Sequence, residues 1–334
     1  MNKKSRKWAL CVSVPLLAAT VACSSNQPAA SPSPSASGTQ GAAASSSPTA
    51  APSKAPSFKV DETKAAELQA QFGQQAPAKV VSASVAIAEI LNTLGIMPVG
   101  VPTSTIALAD ELKNVQKIGS ALKPDVEQVT KLQPDVVLGP SSIKDSLEKQ
   151  FKPANLKTAY IPTDSLEELK LSMVVLSRVF KQEQKANDFF AKLDKQESDA
   201  LAVAKGKTAP KVMFLFGSAE SFMLMNENTF PGSLAKKLGA SNVVSDVLKS
   251  KETYVALNME NVVTANPDVI LLVAHGDPDA AIKKFEEDVK KNGAWEKLNA
   301  FKNSKVKALD YNTFGVASIV KAPDAYKELA AKLF

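Results

Sequence analysis

From residue 78 onward, short aliphatic and β-branched runs alternate with longer stretches whose apolar positions recur at helical spacing. "AKVVSAS" (78–84) reads as a buried strand, "SVAIAEILNTLG" (84–95) as a helix closed by Gly95, and "MPVGV" (97–101) as a second strand that buries Met97 as core. The order continues through "PDVVLG", "SSIKDSLEKQF" and "LKTAYIP", and resumes after Pro210 with "PKVMFLFGS". Alternation of this kind predicts βαβ units built on mainly parallel sheets.

The pattern repeats internally. Residues 127–138 read "EQVTKLQPDVVL" and residues 260–271 read "ENVVTANPDVIL", with Glu, Val, Pro, Asp, Val and Leu in register. Each copy predicts a short helix, a Pro-Asp corner and a buried strand, so the chain is read as two similar α/β lobes, 78–163 and 206–334. Between them, 164–205 has helical apolar spacing, abundant charge and no glycine or proline. It reads as one long helix, continuous or interrupted, joining the lobes. The expected fold is therefore α/β, with two Rossmann-like lobes joined by that helix and a ligand cleft between them at the carboxyl ends of the strands. A helical joint resists wide closure, so little motion is expected.

The first 57 residues follow a different pattern. Lys3, Lys4, Arg6 and Lys7 precede an apolar stretch from Trp8 to Ala22 that is too short to span a bilayer and is interrupted by Pro15. It ends in "TVAC", which places Cys23 as the lipidated residue of a bacterial lipoprotein with signal peptide 1–22; the alternative is an ordinary secretory signal with an incidental cysteine. Cleavage removes Cys11 and those four positive charges, taking the formal net charge from +6 to +2. A near-neutral body gives no footprint for nucleic acid, and one remaining cysteine excludes an intrachain disulfide. Residues 23–57 are almost wholly Ala, Ser, Pro, Thr, Gly and Gln, a composition expected to stay disordered and to act as a tether. The expected location is the outer face of a Gram-positive-type cell membrane.

Candidate chemistry centres on "VILLVAHGDPD" (269–279), where the only histidine of the chain, His275, follows an apolar strand. A neutral imidazole at a strand end that opens into a cleft can offer its nitrogen to a ligand, and Gly276 lets the backbone pass close to one. The competing reading is a histidine hydrogen-bonded at a strand end. "DPD" is read as the start of the next helix at Pro278 rather than as a hard-metal site. The sequence contains no GxGxxG, GxxxxGK[ST] or GxSxG motif, and its single histidine has no recognisable serine context, so no enzyme is expected. A zinc or manganese receptor would want several histidines.

The segments "VSASVAIAEILNTLGIMPVGVPTS", "KIGSALKPDVEQVTKLQPDV", "ANPDVILLVAHG" and "FGVASIVKAPDAYKEL" resemble substrate-binding lipoproteins of ABC importers, in the class with a rigid helical backbone. Within that class the chain is similar to haem receptors of the iron-regulated surface determinant type (IsdE type), from about Ala78 to Phe334. The resemblance implies haem as a transported ligand and His275 as axial iron ligand. It also implies propionate contacts at Val85, Ala86, Ser104 and Thr105, although Thr105 replaces a larger aromatic of the family. The family's second axial ligand is a methionine; here the matching position is Leu122, which cannot bind iron. Five-coordinate iron, a water, or another side chain then remain, with Met223 and Met225 as replacement candidates and Tyr254 or Tyr311 also within possible reach. Glu127 and Glu260, matched in the repeat, are implied as docking points for an ABC permease, which works with its ATPase, unless they mark only solvated helix faces. A monomer is expected, with an upstream cell-surface haem-transfer protein as a further partner. The other cargo open to this scaffold is a ferric siderophore or cobalamin, although the mature domain's poverty in arginine argues for haem.

Overall fold

The computed structural model describes residues 58–217, 221–274 and 277–334. The expected signal peptide 1–22, Cys23, the expected tether 23–57, His275 and Gly276 therefore lie outside the described residues. No helix among the described residues is long and apolar enough to cross a membrane.

The first lobe is a five-stranded sheet of β1 (Val80–Ser82), β2 (Gly100–Val101), β3 (Gln116–Lys117), β4 (Val136–Pro140) and β5 (Thr158–Ile161). Its order is β3-β2-β1-β4-β5, and every neighbouring pair is parallel. The second lobe contains β6 (Lys211–Gly217), β7 (Phe222–Met225), β8 (Ser241–Asn242), β9 (Tyr254–Ala256), β10 (Val269–Ala274) and β11 (Val306–Ala308). Its order is β11-β10-β6-β7-β9, with β8 also beside β6. Here β7 runs antiparallel to both β6 and β9, so this sheet is mixed. Met97 is not core: β2 starts only at Gly100, and Met97 is 51% exposed in the irregular segment before it.

The internal repeat is a structural one. Helices Val126–Lys131 and Met259–Ala265 each lead into a corner where the residue before proline is left-handed, Gln133 at φ 49° and Asn266 at φ 43°. The following aspartates do the same work. Asp135 Oδ2 accepts the amides of Ala78 and Lys79 at 2.8 Å each, and Asp268 Oδ2 accepts that of Lys211 at 2.9 Å. Each thus ties the start of its lobe's first strand to the central strand that follows it.

The joint over 164–205 is two helices, Leu166–Val179 and Glu183–Ala204, rather than one. The break is a Schellman turn: the Gln182 amide donates to the Ser177 carbonyl at 2.7 Å and the Lys181 amide to the Arg178 carbonyl at 3.4 Å. Lys181 takes the left-handed position, φ 55°, that glycine normally fills. A helix preceding the first lobe, Glu62–Ala70, lies against Leu166–Val179. Arg178, the only arginine besides Arg6, clamps it through two hydrogen bonds to Glu62, at 2.7 and 2.9 Å.

One apolar core runs through both lobes and the joint. Ile87 and Leu138 of the first lobe, Leu169, Met173 and Phe190 of the joining helices, and Phe214, Leu271 and Tyr326 of the second share it. The opposite face of the second sheet, with Leu215, Leu224, Ile270 and Leu272, packs separately around Trp295 and Phe285.

Candidate ligand-binding cleft

A cavity of about 240 Å³ opens between the lobes. Five parallel strands direct their carboxyl ends to it: β1 through Ser84, β4 through Pro140 and Ser142, β5 through Thr163 and Asp164, β6 through Phe216 and β10 through Val273. This is the place where open parallel sheets bind ligands. Met225, Thr229, Tyr254 and the segment Phe314–Ala317 complete the second-lobe side.

Helix Val85–Thr93 points its amino end at the cavity. Ser84 caps it, Oγ accepting the Ile87 amide at 3.5 Å, while the Ser82 hydroxyl donates to the Ser84 carbonyl at 2.7 Å. The first-turn amides of Val85 and Ala86 have no acceptor within the helix and carry its positive dipole end. Ala86 lines the cavity and Val85 is buried beside it. Ser104 uses its hydroxyl on its own turn, donating to the Ile106 carbonyl and accepting the Ile106 amide, both at 3.0 Å. Thr105 Oγ1 lies 2.7 Å from the Tyr311 hydroxyl, a link from one lobe to the other. A second link is buried: Ser318 Oγ donates to Glu89 Oε2 at 2.6 Å.

Asp164 is the only charged side chain among the described lining residues. Burial pushes its carboxyl above the ordinary aspartate value, against a hydrogen bond from Ser142 Oγ at 2.9 Å that favours the charged form. Burial also pushes the Tyr254 phenol up, and the charge of Asp164 adds to it.

Val273 pairs with Phe216 and Phe216 with Met223; Leu271 pairs with Phe214, Phe214 with Met225 and Met225 with Tyr254. Side chains two apart share a face, so both methionines belong to the cleft face of the sheet. Met225 is 4% exposed and lines the cavity; Met223, nearer the strand end, is 36% exposed and does not. Leu122 is 58% exposed, outside the lining, its carbonyl accepting from Gln150. His275 follows Ala274, the last residue of β10, which pairs with Gly217; its own position lies outside the described residues. Asp277 caps helix Pro278–Lys291, accepting the amides of Asp279 and Ala280 at 3.0 and 3.1 Å, so "DPD" starts a helix. Glu127 and Glu260 occupy the first turns of the two repeated helices; Glu127 pairs with Lys131 at 2.7 Å. The sequence reading missed Asp164, Glu89 and Ser318. Asp164 carried a signal, a polar residue after the predicted strand "LKTAYIP".

Two α/β lobes with a ligand cavity at their facing strand ends define a binding protein. Residues 80–313 match the family described as Periplasmic binding protein, and the chain belongs to it. It is 34% identical over 253 residues to the high-affinity heme uptake system protein IsdE of Staphylococcus aureus, a match spanning 75% of this chain and 85% of the relative. The crystal structure of S. aureus IsdE complexed with heme aligns with a TM-score of 0.72 at 32% identity, covering 77% of this chain and 98% of that one. An ABC transporter substrate-binding protein from Listeria monocytogenes EGD-e aligns with a TM-score of 0.70 at 32% identity, covering 78% and 99%. S. aureus SirA complexed with staphyloferrin B shares the fold, with a TM-score of 0.64 at 21% identity over 78% of this chain and 94% of that one. The chain is thus a substrate-binding protein, not an enzyme.

Proposed function

We propose that the protein is a membrane-tethered haem receptor that passes haem to an ABC permease for iron acquisition. The observation that carries this reading is the likeness over three quarters of the chain to a protein solved with heme bound. The chemistry of the cleft supports it. The described lining is mostly apolar, offers a helix amino end for a carboxylate, and includes no lysine or arginine for an anionic chelate. The only arginine of the folded body is engaged with Glu62.

In this reading His275 binds the iron and the first-turn amides of Val85 and Ala86 hold a propionate. Ser104 contributes through its backbone, since its hydroxyl proton goes to the Ile106 carbonyl, and Thr105 through its backbone or through its hydroxyl when Tyr311 donates to it. Met225 and Met223 sit on the same sheet as β10, whereas a ligand trans to imidazole must approach the other face of the macrocycle. Leu122 cannot bind iron, which leaves five-coordinate iron, a water, or another side chain opposite the imidazole. Glu127 and Glu260 dock the permease, one from each lobe. Cys23 carries the lipid anchor, and 23–57 is the tether.

Titration of the purified protein with haemin tests the reading. A shifted Soret band saturating at one haemin per chain, with a high-spin ferric spectrum, is expected. An unshifted band in the native protein rejects haem as the cargo.

A further inference from the structure

We propose that Asp164 is a specificity-determining residue of the cleft: it rejects ferric chelates whose negative charge is spread over their surface and turns the carboxylate edge of a planar macrocycle away from the joint. The inference rests on the haem reading and goes beyond it by assigning discrimination to a residue.

Three observations carry it. Asp164 is the only charged group among the described lining residues, so no cation among them offsets it. Its carboxyl is held in place, with Ser142 donating to Oδ1 and its own backbone amide donating to Glu168 Oε2 at 2.8 Å. It also stands between β5 and the amino end of helix Leu166–Val179, lining the same cavity as Tyr254 of the second lobe. Like charges in a partly desolvated cleft repel far more strongly than in water.

Haem and an anionic ferric chelate differ in how their charge is arranged. A tris-catecholate complex presents anionic oxygens on all sides, so no orientation keeps them from Asp164. A porphyrin gathers its two carboxylates on one edge and can direct that edge to the helix amino end at Ser84, leaving an apolar edge beside Asp164. The same carboxyl thus excludes one cargo and orients the other.

The test uses calorimetric titration of native protein, Asp164→Asn and Asp164→Lys with haemin, a ferric tris-catecholate and a neutral ferric tris-hydroxamate of similar size. Circular dichroism confirms that each variant is folded, and Asp164→Asn serves if the lysine variant is not. Affinity for the tris-catecholate is expected to rise at least tenfold in Asp164→Lys and by a smaller factor in Asp164→Asn. The neutral complex should stay within about threefold of its native value, because charge rather than space has changed. No gain for the tris-catecholate, or an equal gain for both chelates, overturns the inference while leaving haemin binding by the native protein as separate support for the haem reading. Failure of the native protein to bind haemin overturns that reading instead.

Discussion

Glu89 is a carboxyl that the fold keeps dry. It lies on the helix whose amino end meets the cleft, buried against Ser318 of the other lobe. Burial pushes its pKa up, and the bond from Ser318 and the charge of Lys321 only partly oppose that. A raised carboxyl binds its proton more readily in the folded state. Its favourable linkage is therefore complete below the ordinary glutamate value of 4.5 and is lost as pH rises through the higher folded value. Glu89→Gln removes this dependence. The midpoint of urea unfolding, followed from pH 4 to pH 7.5, should gain on the native protein as pH rises; a constant difference across the range contradicts the assignment.

At the scale of elements, the two joining helices depend on a lysine in a glycine's conformation. Lys181→Gly should relieve the left-handed backbone and stabilise the protein by about 0.5–1 kcal/mol, the gain being reduced by glycine's greater freedom when unfolded. Thermal unfolding measures it, and a loss of stability would contradict the Schellman assignment. The same lysine explains what the sequence concealed. A stretch with no glycine or proline gives no local mark of where a break falls, so 164–205 reads as one helix whose interruption the sequence does not locate. The antiparallel β7 and β9 were hidden for another reason, because strand polarity is set by distant partners and not by local pattern. Helix Glu62–Ala70 buries only Ala65 and is fastened by an ion pair to Arg178, far along the chain. In contrast, the repeat was legible because Pro-Asp makes a corner through backbone geometry and local hydrogen bonds. Leu122, which has no donor atom for iron, is exposed and lies outside the described cleft lining. Asp164 and Glu89 look like ordinary polar residues in sequence; only the meeting of two lobes makes them part of a site.

For the whole molecule, the joint is a packed and charged unit. Lys170, 2% exposed, donates to Glu197 at 2.6 Å, and the Tyr326 hydroxyl donates to the same carboxylate at 2.7 Å. Lys237 pairs with both Glu197 and Glu167. The network ties both joining helices to helices Phe230–Lys237 and Ala322–Leu333 of the second lobe. Burial works against ionisation of Glu197, but the hydrogen bonds from Lys170 and Lys237 outweigh it and hold the carboxyl below the ordinary glutamate value. Glu197→Met strands Lys170 and should cost about 3–5 kcal/mol in denaturant unfolding, whereas adding Lys170→Met should recover much of that loss. A mild single variant, or a double variant no better than the single, would show that the pair is not buried as described.

The central claim is that the cargo is haem gripped by the imidazole that follows β10. Haemin titrations of the native protein and of His275→Ala, read at the Soret band, address it most directly. The account predicts one tight site in the native protein and an affinity lower by at least about a hundredfold in the variant, as expected for loss of a metal ligand. Equal affinities and identical spectra for the two proteins would contradict it.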